Sequence, residues 1–223
     1  MSRIRCVVFD VDDTLYLERD YVRSGFRAVA DHVSRDRGLE GFFERAWDAF
    51  CSGTRGSVFD RVLESYGLDP GPIVPELVRV YRSHRPAISL LPDARACLGR
   101  LRGRVRMAAV TGGPALSQRS KVEALGLGRL MAPIVFTEEL GNGYEKPSPR
   151  PFRLVEEAAA ASGADCAYVA DNPEKDFSGP SALGWRTVRV RRPGGLHASV
   201  EAPGADAEIA DLSALEETLA GIG

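Results

Sequence analysis

The chain has 223 residues, a net charge of −2 and 44% hydrophobic residues. This length accommodates one large domain, or a core with a smaller insertion. The near-neutral charge provides no basic field that would attract nucleic acid or an anionic membrane surface. The four cysteines are scattered without a C-x-x-C pair, so we expect neither a disulfide framework nor a zinc site. Without a long apolar run or a signal-peptide pattern, the sequence predicts a soluble, cytoplasmic protein.

The chain begins with an apolar run, Ile4 to Val8, which is followed by the acidic segment FDVDDT at positions 9–14. This pattern predicts a buried strand with carboxylates at its carboxyl end, the edge of an open α/β sheet where ligands bind. Asp10 and Asp12 are separated by one residue, so both reach one point only if the chain leaves strand geometry there. Acids packed this closely require a cation or a proton between them, which indicates a reaction centre.

The following segment, residues 16–86, contains no convincing strand. Its apolar residues recur at helical spacing, which predicts helices near residues 26–33, 42–50, 58–67 and 74–81. We therefore predict two domains: an α/β core formed by residues 1–15 and 87–223, and an inserted helical cap formed by residues 16–86. The two crossings between them are natural hinge positions.

Beyond the cap, short β-rich runs alternate with helical patterns. The predicted strands are residues 105–110, 134–136, 166–170 and 187–190, and the predicted helices are residues 92–101, 115–125 and 151–161. This alternation is typical of an α/β fold, here a Rossmann-like parallel sheet in a three-layer core. Right-handed crossovers would place the carboxyl ends of all strands at one edge.

Polar groups also follow the later predicted strands. Thr111 offers a hydroxyl, and the two glycines after it expose backbone N–H groups in a turn suited to an anion. Asp171 comes directly after the strand at 166–170, and Lys146 lies in a loop between these elements. We expect all of these groups to meet the Asp10 and Asp12 carboxylates at one edge of the sheet.

These motifs, in this order, resemble those of the haloacid dehalogenase superfamily of hydrolases. The resemblance spans the whole chain, and the helical insertion is similar to the C1-type cap of that superfamily. The chain departs from the usual pattern where Ala170 replaces a frequent glycine, Gly112 a frequent asparagine and Ser148 a frequent aspartate. None of these departures removes a charged catalytic group.

The resemblance implies a Mg²⁺-dependent phosphoryl transfer in which Asp10 is the nucleophile and forms an aspartyl-phosphate. Mg²⁺ would be bound by Asp10, by Asp171 and by the backbone carbonyl of Asp12. Lys146 would offset the negative charge of the nucleophile and of the phosphoryl group. The groups that would hold the phosphoryl group are Thr111, Gly112, Gly113 and Lys146. Asn172 and Asp176 would lie just outside this set of ligands, where they would support the metal site or Lys146.

In the resembling superfamily a second aspartate, here Asp12, is typical of phosphatases and phosphomutases and is absent from the dehalogenases. It would protonate the leaving alkoxide and later activate water. Crowding by like charges favours the protonated form of Asp12 unless Mg²⁺ offsets that effect.

The sequence thus predicts a phosphohydrolase acting on a small phosphorylated metabolite, because a cap would exclude large substrates. A phosphomutase on the same core is the first alternative. A non-catalytic metabolite-binding module is the second, although such a protein would be expected to have lost Asp10, Lys146 or Asp171. Arg55, in a loop of small residues between cap helices, either clamps a second anionic group of the substrate or is solvated. A monomer and a homodimer both remain open, and His32 and His197 carry no readable signal.

Overall fold

The computed structural model describes residues 4–222. Within that range the sheet has six parallel strands: β1 (Cys6–Phe9), β2 (Arg106–Thr111), β3 (Ile134–Phe136), β4 (Cys166–Ala170), β5 (Arg186–Val190) and β6 (Ala207–Ile209). Their order across the sheet is β3-β2-β1-β4-β5-β6. The chain winds outwards from β1 in both directions, so the topological switch point lies between β1 and β4.

The chain divides into two compact units. The core unit comprises the residues up to Arg19 and those from Ile88 onwards, and the helical unit comprises Asp20–Ala87. The helices of the core are α5 (Pro92–Leu101), α6 (Ala115–Leu125), α7 (Arg150–Ala159), α8 (Ser178–Ser181) and α9 (Leu215–Ile222). Those that form the helical unit are α1 (Glu18–Arg37), α2 (Phe42–Cys51), α3 (Val58–Glu64) and α4 (Val74–Ser83).

The core sheet is covered on both faces. Every residue of β1 and β4 is buried, which is the pattern of central strands in a parallel sheet with helices on both sides. On one face the Phe152 ring of α7 packs edge-on against Tyr168 and Trp185, with ring centroids 4.8 Å and 5.5 Å apart. The predicted fold class, a Rossmann-like parallel sheet with an inserted helical segment, is confirmed.

The helical unit has an aromatic core. Phe26 of α1 lies 5.7 Å from Phe59, 5.9 Å from Tyr81 and 6.1 Å from Phe50 between ring centroids. Gly25, next to Phe26, lets α1 approach this cluster, because a Cβ there would lie 2.4 Å from Tyr81 Cε2. The four helices match the helical periodicity of the sequence.

Some element bounds differ from the predictions. The strand β6 was not predicted, because it has three residues with Glu208 at its centre. The first strand begins at Cys6 rather than Ile4, and α7 ends at Ala159, before Ala160 takes a left-handed φ of 48°. Across residues 4–222, no helix has both the length and the apolar character needed to traverse a bilayer.

Candidate active site

The sheet topology brings the predicted site residues to one edge. Asp10 follows β1, Thr111 is the last residue of β2, and Asp171 follows β4. Because β1 lies between β2 and β4, these three side chains stand on neighbouring strand ends. This edge, beside the switch point, is where ligands bind in open α/β sheets.

A tight turn after β1 brings Asp12 back towards Asp10. Asp13 has a left-handed φ of 49°, a conformation that side-chain-bearing residues adopt rarely. Its buried carboxylate accepts hydrogen bonds from the backbone N–H groups of Glu18 (2.8 Å) and Leu196 (2.7 Å). These two bonds stabilise the turn, which supplies the departure from strand geometry that the spacing of the acids requires.

Lys146 connects two of the predicted acids. Its Nζ lies 2.6 Å from Asp10 Oδ1 and 2.6 Å from Asp176 Oδ1, and it donates to the Tyr168 hydroxyl at 3.0 Å. The other oxygen of Asp176 accepts the backbone N–H of Asn172 at 3.1 Å. Asp176 therefore contacts Lys146 directly, which is the geometry that the supporting role predicted for it requires.

The pKa values of these buried groups are shifted by burial and by the charges of their neighbours. Burial would lower the pKa of Lys146, but Asp10 and Asp176 hold it well above its ordinary value. Burial raises the pKa of Asp10 to about 6, although Lys146 opposes the rise. Burial and the charge of Asp10 raise the pKa of Asp171 to about 9, with Asp176 and Asp13 adding to the effect.

Asp171 differs from Asp10, Asp12 and Asp176 in its hydrogen bonding within the described part of the chain. Among residues 4–222, none donates a hydrogen bond to its carboxylate, which faces the negative charges of Asp10 and Asp176. A cation bound here would offset that repulsion. The predicted metal ligands are the carboxylates of Asp10 and Asp171 and the backbone carbonyl of Asp12. All three are oxygen donors, the type that a hard divalent ion such as Mg²⁺ prefers.

The surroundings of Asp12 favour its ionised form, whereas like-charge crowding without an offsetting cation was expected to favour the protonated one. Burial would raise its pKa, but the charge and hydrogen bonds of Lys121, together with the Tyr16 hydroxyl and Gln118, lower it below the ordinary value. The nearest cation comes from α6, a neighbour that the acidic motif alone does not reveal.

The turn after β2 brings its backbone close to Lys146. The buried hydroxyl of Thr111 donates to Gln118 Oε1 at 2.8 Å. Gly113 has a left-handed φ of 99°, and a Cβ on Gly112 would lie 3.7 Å from Lys146 Cε. The turn therefore places Gly112 beside the cation of the site.

Arg55, the predicted substrate clamp, belongs to the helical unit and is tied to its own loop. Its Nη1 donates to the backbone carbonyls of Phe50 (2.7 Å) and Thr54 (2.9 Å). Its guanidinium carbon lies 4.1 Å from the centroid of the Phe50 ring. These contacts occupy the side chain within the loop, where it stabilises the end of α2.

Sequence reasoning missed three residues of the site: Lys121, Gln118 and His197. His197 Nε2 accepts a hydrogen bond from Asn172 Nδ2 at 3.1 Å, with the donor assigned from the network. His197 comes from the long loop after β5, and no local pattern marks it. Lys121 had a signal, because only three of the 29 basic residues are lysines: Lys121, Lys146 and Lys175.

Comparison with known proteins identifies the family of this chain. The family model for haloacid dehalogenase-like hydrolases matches residues 4–184. The glyceraldehyde 3-phosphate phosphatase of Methanopyrus kandleri is 31% identical over 199 residues, covering 85% of this chain and 84% of that protein. The phosphoserine phosphatase of Thermus thermophilus is 28% identical, with coverages of 94% and 96%.

Solved structures agree on the fold. A 2-haloacid dehalogenase from Pseudomonas syringae superposes with a TM-score of 0.67 at 26% identity, covering 99% of this chain and 100% of that one. A magnesium-bound hydrolase of the superfamily from Bacillus subtilis gives a TM-score of 0.72 at 21% identity, with coverages of 97% and 99%. The chain belongs to the haloacid dehalogenase-like hydrolases, and its place among them is with the phosphatases.

Proposed function

We propose that the protein is a Mg²⁺-dependent phosphohydrolase that removes phosphate from a small phosphorylated metabolite through an aspartyl-phosphate on Asp10. The observation that carries the proposal is the pairing of two carboxylates with two separate cations at one sheet edge. Asp10 contacts Lys146, and Asp12 contacts Lys121. One acid is thereby equipped as a nucleophile and the other as a proton carrier.

In the first half-reaction an oxygen of Asp10 attacks phosphorus while the bond from phosphorus to the alcohol oxygen breaks. Lys146 offsets the repulsion between the carboxylate and the phosphate, and the 111–113 turn offers N–H groups to the transferring oxygens. Bound at Asp10, Asp171 and the carbonyl of Asp12, Mg²⁺ would supply further charge compensation.

Asp12 provides the proton for the departing alkoxide. Lys121 lowers the pKa of Asp12 in the substrate-free protein. The phosphate anion adds negative charge nearby, which raises the pKa of the carboxyl group, so Asp12 takes up a proton when the substrate binds. In the second half-reaction Asp12 accepts a proton from the water that attacks phosphorus, and the bond between Asp10 and the phosphoryl group breaks.

The related phosphatases suggest a chemical class for the substrate. Glyceraldehyde 3-phosphate, phosphoserine and N-acylneuraminate 9-phosphate, named for three of them, are all phosphate esters of primary alcohols. A primary alkoxide is a poor leaving group, so its departure depends on a general acid such as Asp12. We therefore propose a small primary-alcohol phosphate as the substrate.

The direct test measures phosphate release from a panel of primary-alcohol phosphates, with Mg²⁺ or with EDTA, for the wild type and for Asp10→Asn. Release that requires both the metal and Asp10 is the expected result. An isomeric sugar phosphate without free phosphate would identify a phosphomutase instead. Chloride release from 2-chloropropionate would identify a dehalogenase, and silence on every substrate would favour a binding module.

A further inference from the structure

A second buried ion pair lies on the Asp12 side of the site. Lys121 Nζ is 2.7 Å from Oδ1 and 2.8 Å from Oδ2 of Asp12, and the Lys121 side chain is 4% exposed. Gln118 Nε2 donates to Oδ2 at 2.8 Å, and the Tyr16 hydroxyl donates to Oδ1. Each carboxylate oxygen of Asp12 thus accepts two hydrogen bonds, which hold the group in one orientation.

Gln118 joins this pair to the end of β2. Its Oε1 accepts the Thr111 hydroxyl at 2.8 Å, while its Nε2 donates to Asp12. The same amide therefore fixes two groups that contact the substrate in the proposed reaction. Gln118 and Lys121 are three residues apart on α6, so both project from one helix face.

The buried side of α6 is unusually polar for a packed helix. It buries Ser117, Gln118 and Lys121 together with Leu125, whereas Leu116 is 54% exposed. Burying an amide and an ammonium costs stability unless they are hydrogen-bonded or paired, and here Asp12 and Thr111 supply the partners. Such local conflicts with packing rules are expected at functional sites.

The choice of lysine is a further indication. The chain has 26 arginines and three lysines, yet the cation paired with Asp12 is a lysine. Arginine would grip the carboxylate with a rigid planar fork, whereas an ammonium is a compact charge with three rotatable donors. The compact ammonium contacts both oxygens of Asp12, and each of them still accepts a second hydrogen bond, from Tyr16 or from Gln118.

We propose that Lys121 and Gln118 are positioning residues for Asp12. They hold the proton-carrying carboxylate at the distance and angle that transfer to the leaving oxygen requires. A catalytic group displaced by about 1 Å can lose about 10²-fold in rate. This inference rests on the proposed phosphohydrolase function.

The test uses two esters that differ in their need for a general acid. One is the alkyl phosphate that the wild type hydrolyses fastest, and the other is p-nitrophenyl phosphate, whose leaving group departs without protonation. For Lys121→Met and Gln118→Leu we expect kcat/KM to fall about 10²-fold on the alkyl ester and less than about 10-fold on the aryl ester. The ratio kcat/KM excludes the later attack by water, so it isolates the step that needs the acid.

A double-mutant cycle separates positioning from general structural support. In an Asp12→Ala background, Lys121→Met should cost less than about 2-fold further on the alkyl ester, because the group that it positions is gone. Arg119→Met, on the same helix but paired with Glu139 at the surface, is the matched control and should leave both esters unchanged.

Equal losses on the two esters, or a full further loss in the Asp12→Ala background, would overturn the inference. Thermal melting verifies that each variant is folded. If Lys121→Met does not fold, Gln118→Leu decides alone, because it buries no uncompensated charge of its own. A wild type inactive on all phosphates would overturn the proposed function instead, so the two failures are distinguishable.

Discussion

Lys146 Nζ lies 2.6 Å from Asp10 Oδ1, and both side chains are almost wholly buried. A buried lysine beside the nucleophile keeps the carboxylate available for attack although burial disfavours its charge. Asp10→Asn removes the nucleophile, so we expect kcat to fall at least about 10³-fold. The melting temperature should not fall, because the change removes a charge that burial makes costly. A folded variant that keeps more than about a tenth of the wild-type rate would contradict the nucleophile assignment.

Asp176 acts through Lys146 in this arrangement. Asp176→Asn removes one of the two carboxylates that contact the ammonium, at 2.6 Å. We expect kcat to fall about 10–100-fold, as for other residues that orient a charged group of a site. Glu139→Gln, which disrupts an exposed pair with Arg119, is the control and should leave kcat unchanged. Steady-state kinetics of the two variants decide the matter, and an unchanged kcat in Asp176→Asn would refute the orienting role.

Binding of Mg²⁺ should depend on pH. In the metal-free protein the pKa of Asp10 is raised to about 6 and that of Asp171 to about 9, so Asp171 carries a proton at neutral pH. A metal ion binds the ionised carboxylates, so binding releases protons and tightens as the pH rises from about 6 to about 9. Calorimetry in buffers of different ionisation enthalpy measures the protons released. Asp171→Asn should lose both the binding and the buffer dependence, and pH-independent affinity would contradict the proposed ligand set.

The Asp93–Arg192 pair links α5 to the turn after β1. Arg192 donates to Asp93 Oδ2 at 2.8 Å and, through Nε and Nη2, to the carbonyl of Thr14. Burial would raise the pKa of Asp93, but Arg192 and the N–H of Leu212 hold it below its ordinary value. A depressed carboxyl pKa contributes stability above the unfolded value of about 3.9 and loses it as the pH falls through the folded value.

We therefore expect Asp93→Asn to lower the free energy of unfolding by about 1–3 kcal/mol at pH 7. The difference from the wild type should shrink as the pH is lowered below about 4, because protonation of the unfolded chain begins there, and it should vanish below the folded pKa of Asp93. Urea denaturation at pH 7, 5 and 3 measures this difference. A gap that stays constant over that range would show that the charge of Asp93 is not its cause.

Gly25 in the helical unit and Gly99 in the core offer a matched pair of glycine substitutions. Gly25→Ala would place a Cβ 2.4 Å from Tyr81 Cε2, inside a packed aromatic cluster, and should destabilise the protein by about 1–3 kcal/mol. Gly99→Ala, in α5, meets nothing within 4 Å and should stabilise it by about 0.5–1 kcal/mol. Chemical denaturation compares the two. A neutral Gly25→Ala would mean that the Tyr81 ring shifts at little cost.

The sequence predicts the fold and the main acids of the site for a physical reason. Buried strands are continuous apolar runs, and the polar residue after each run must lie at the sheet edge. Asp10, Thr111 and Asp171 can therefore each be identified from the local sequence of a single strand. The environment of Asp12 is not readable in this way. It depends on which face of α6 turns inwards, because Lys121 lies 109 residues from Asp12 in the chain.

His197 illustrates a second limit. It reaches Asn172 because the chain after β5 returns across the sheet edge, where Arg189 holds the carbonyls of His197 and Val200 at 2.9 Å and 2.8 Å. No short-range pattern encodes such a return. The same applies to Asp13, whose sequence position marks it as a third acid of the motif, although its carboxylate serves the backbone of the turn.

The central position of β1 has a consequence for folding during synthesis on the ribosome. Cys6 pairs with Arg106 on one side and with Cys166 on the other, so the central strand, synthesised first, waits for partners made about 100 and 160 residues later. The helical unit, contiguous in sequence from Asp20 to Ala87, emerges during that interval and can form its internal contacts before β2 and β4 are made. The apolar first strand is meanwhile an unpaired edge, and such edges attract aggregation or chaperones. The proposed nucleophile, Asp10, is therefore made well before its surroundings, which are completed only when β4 has left the ribosome.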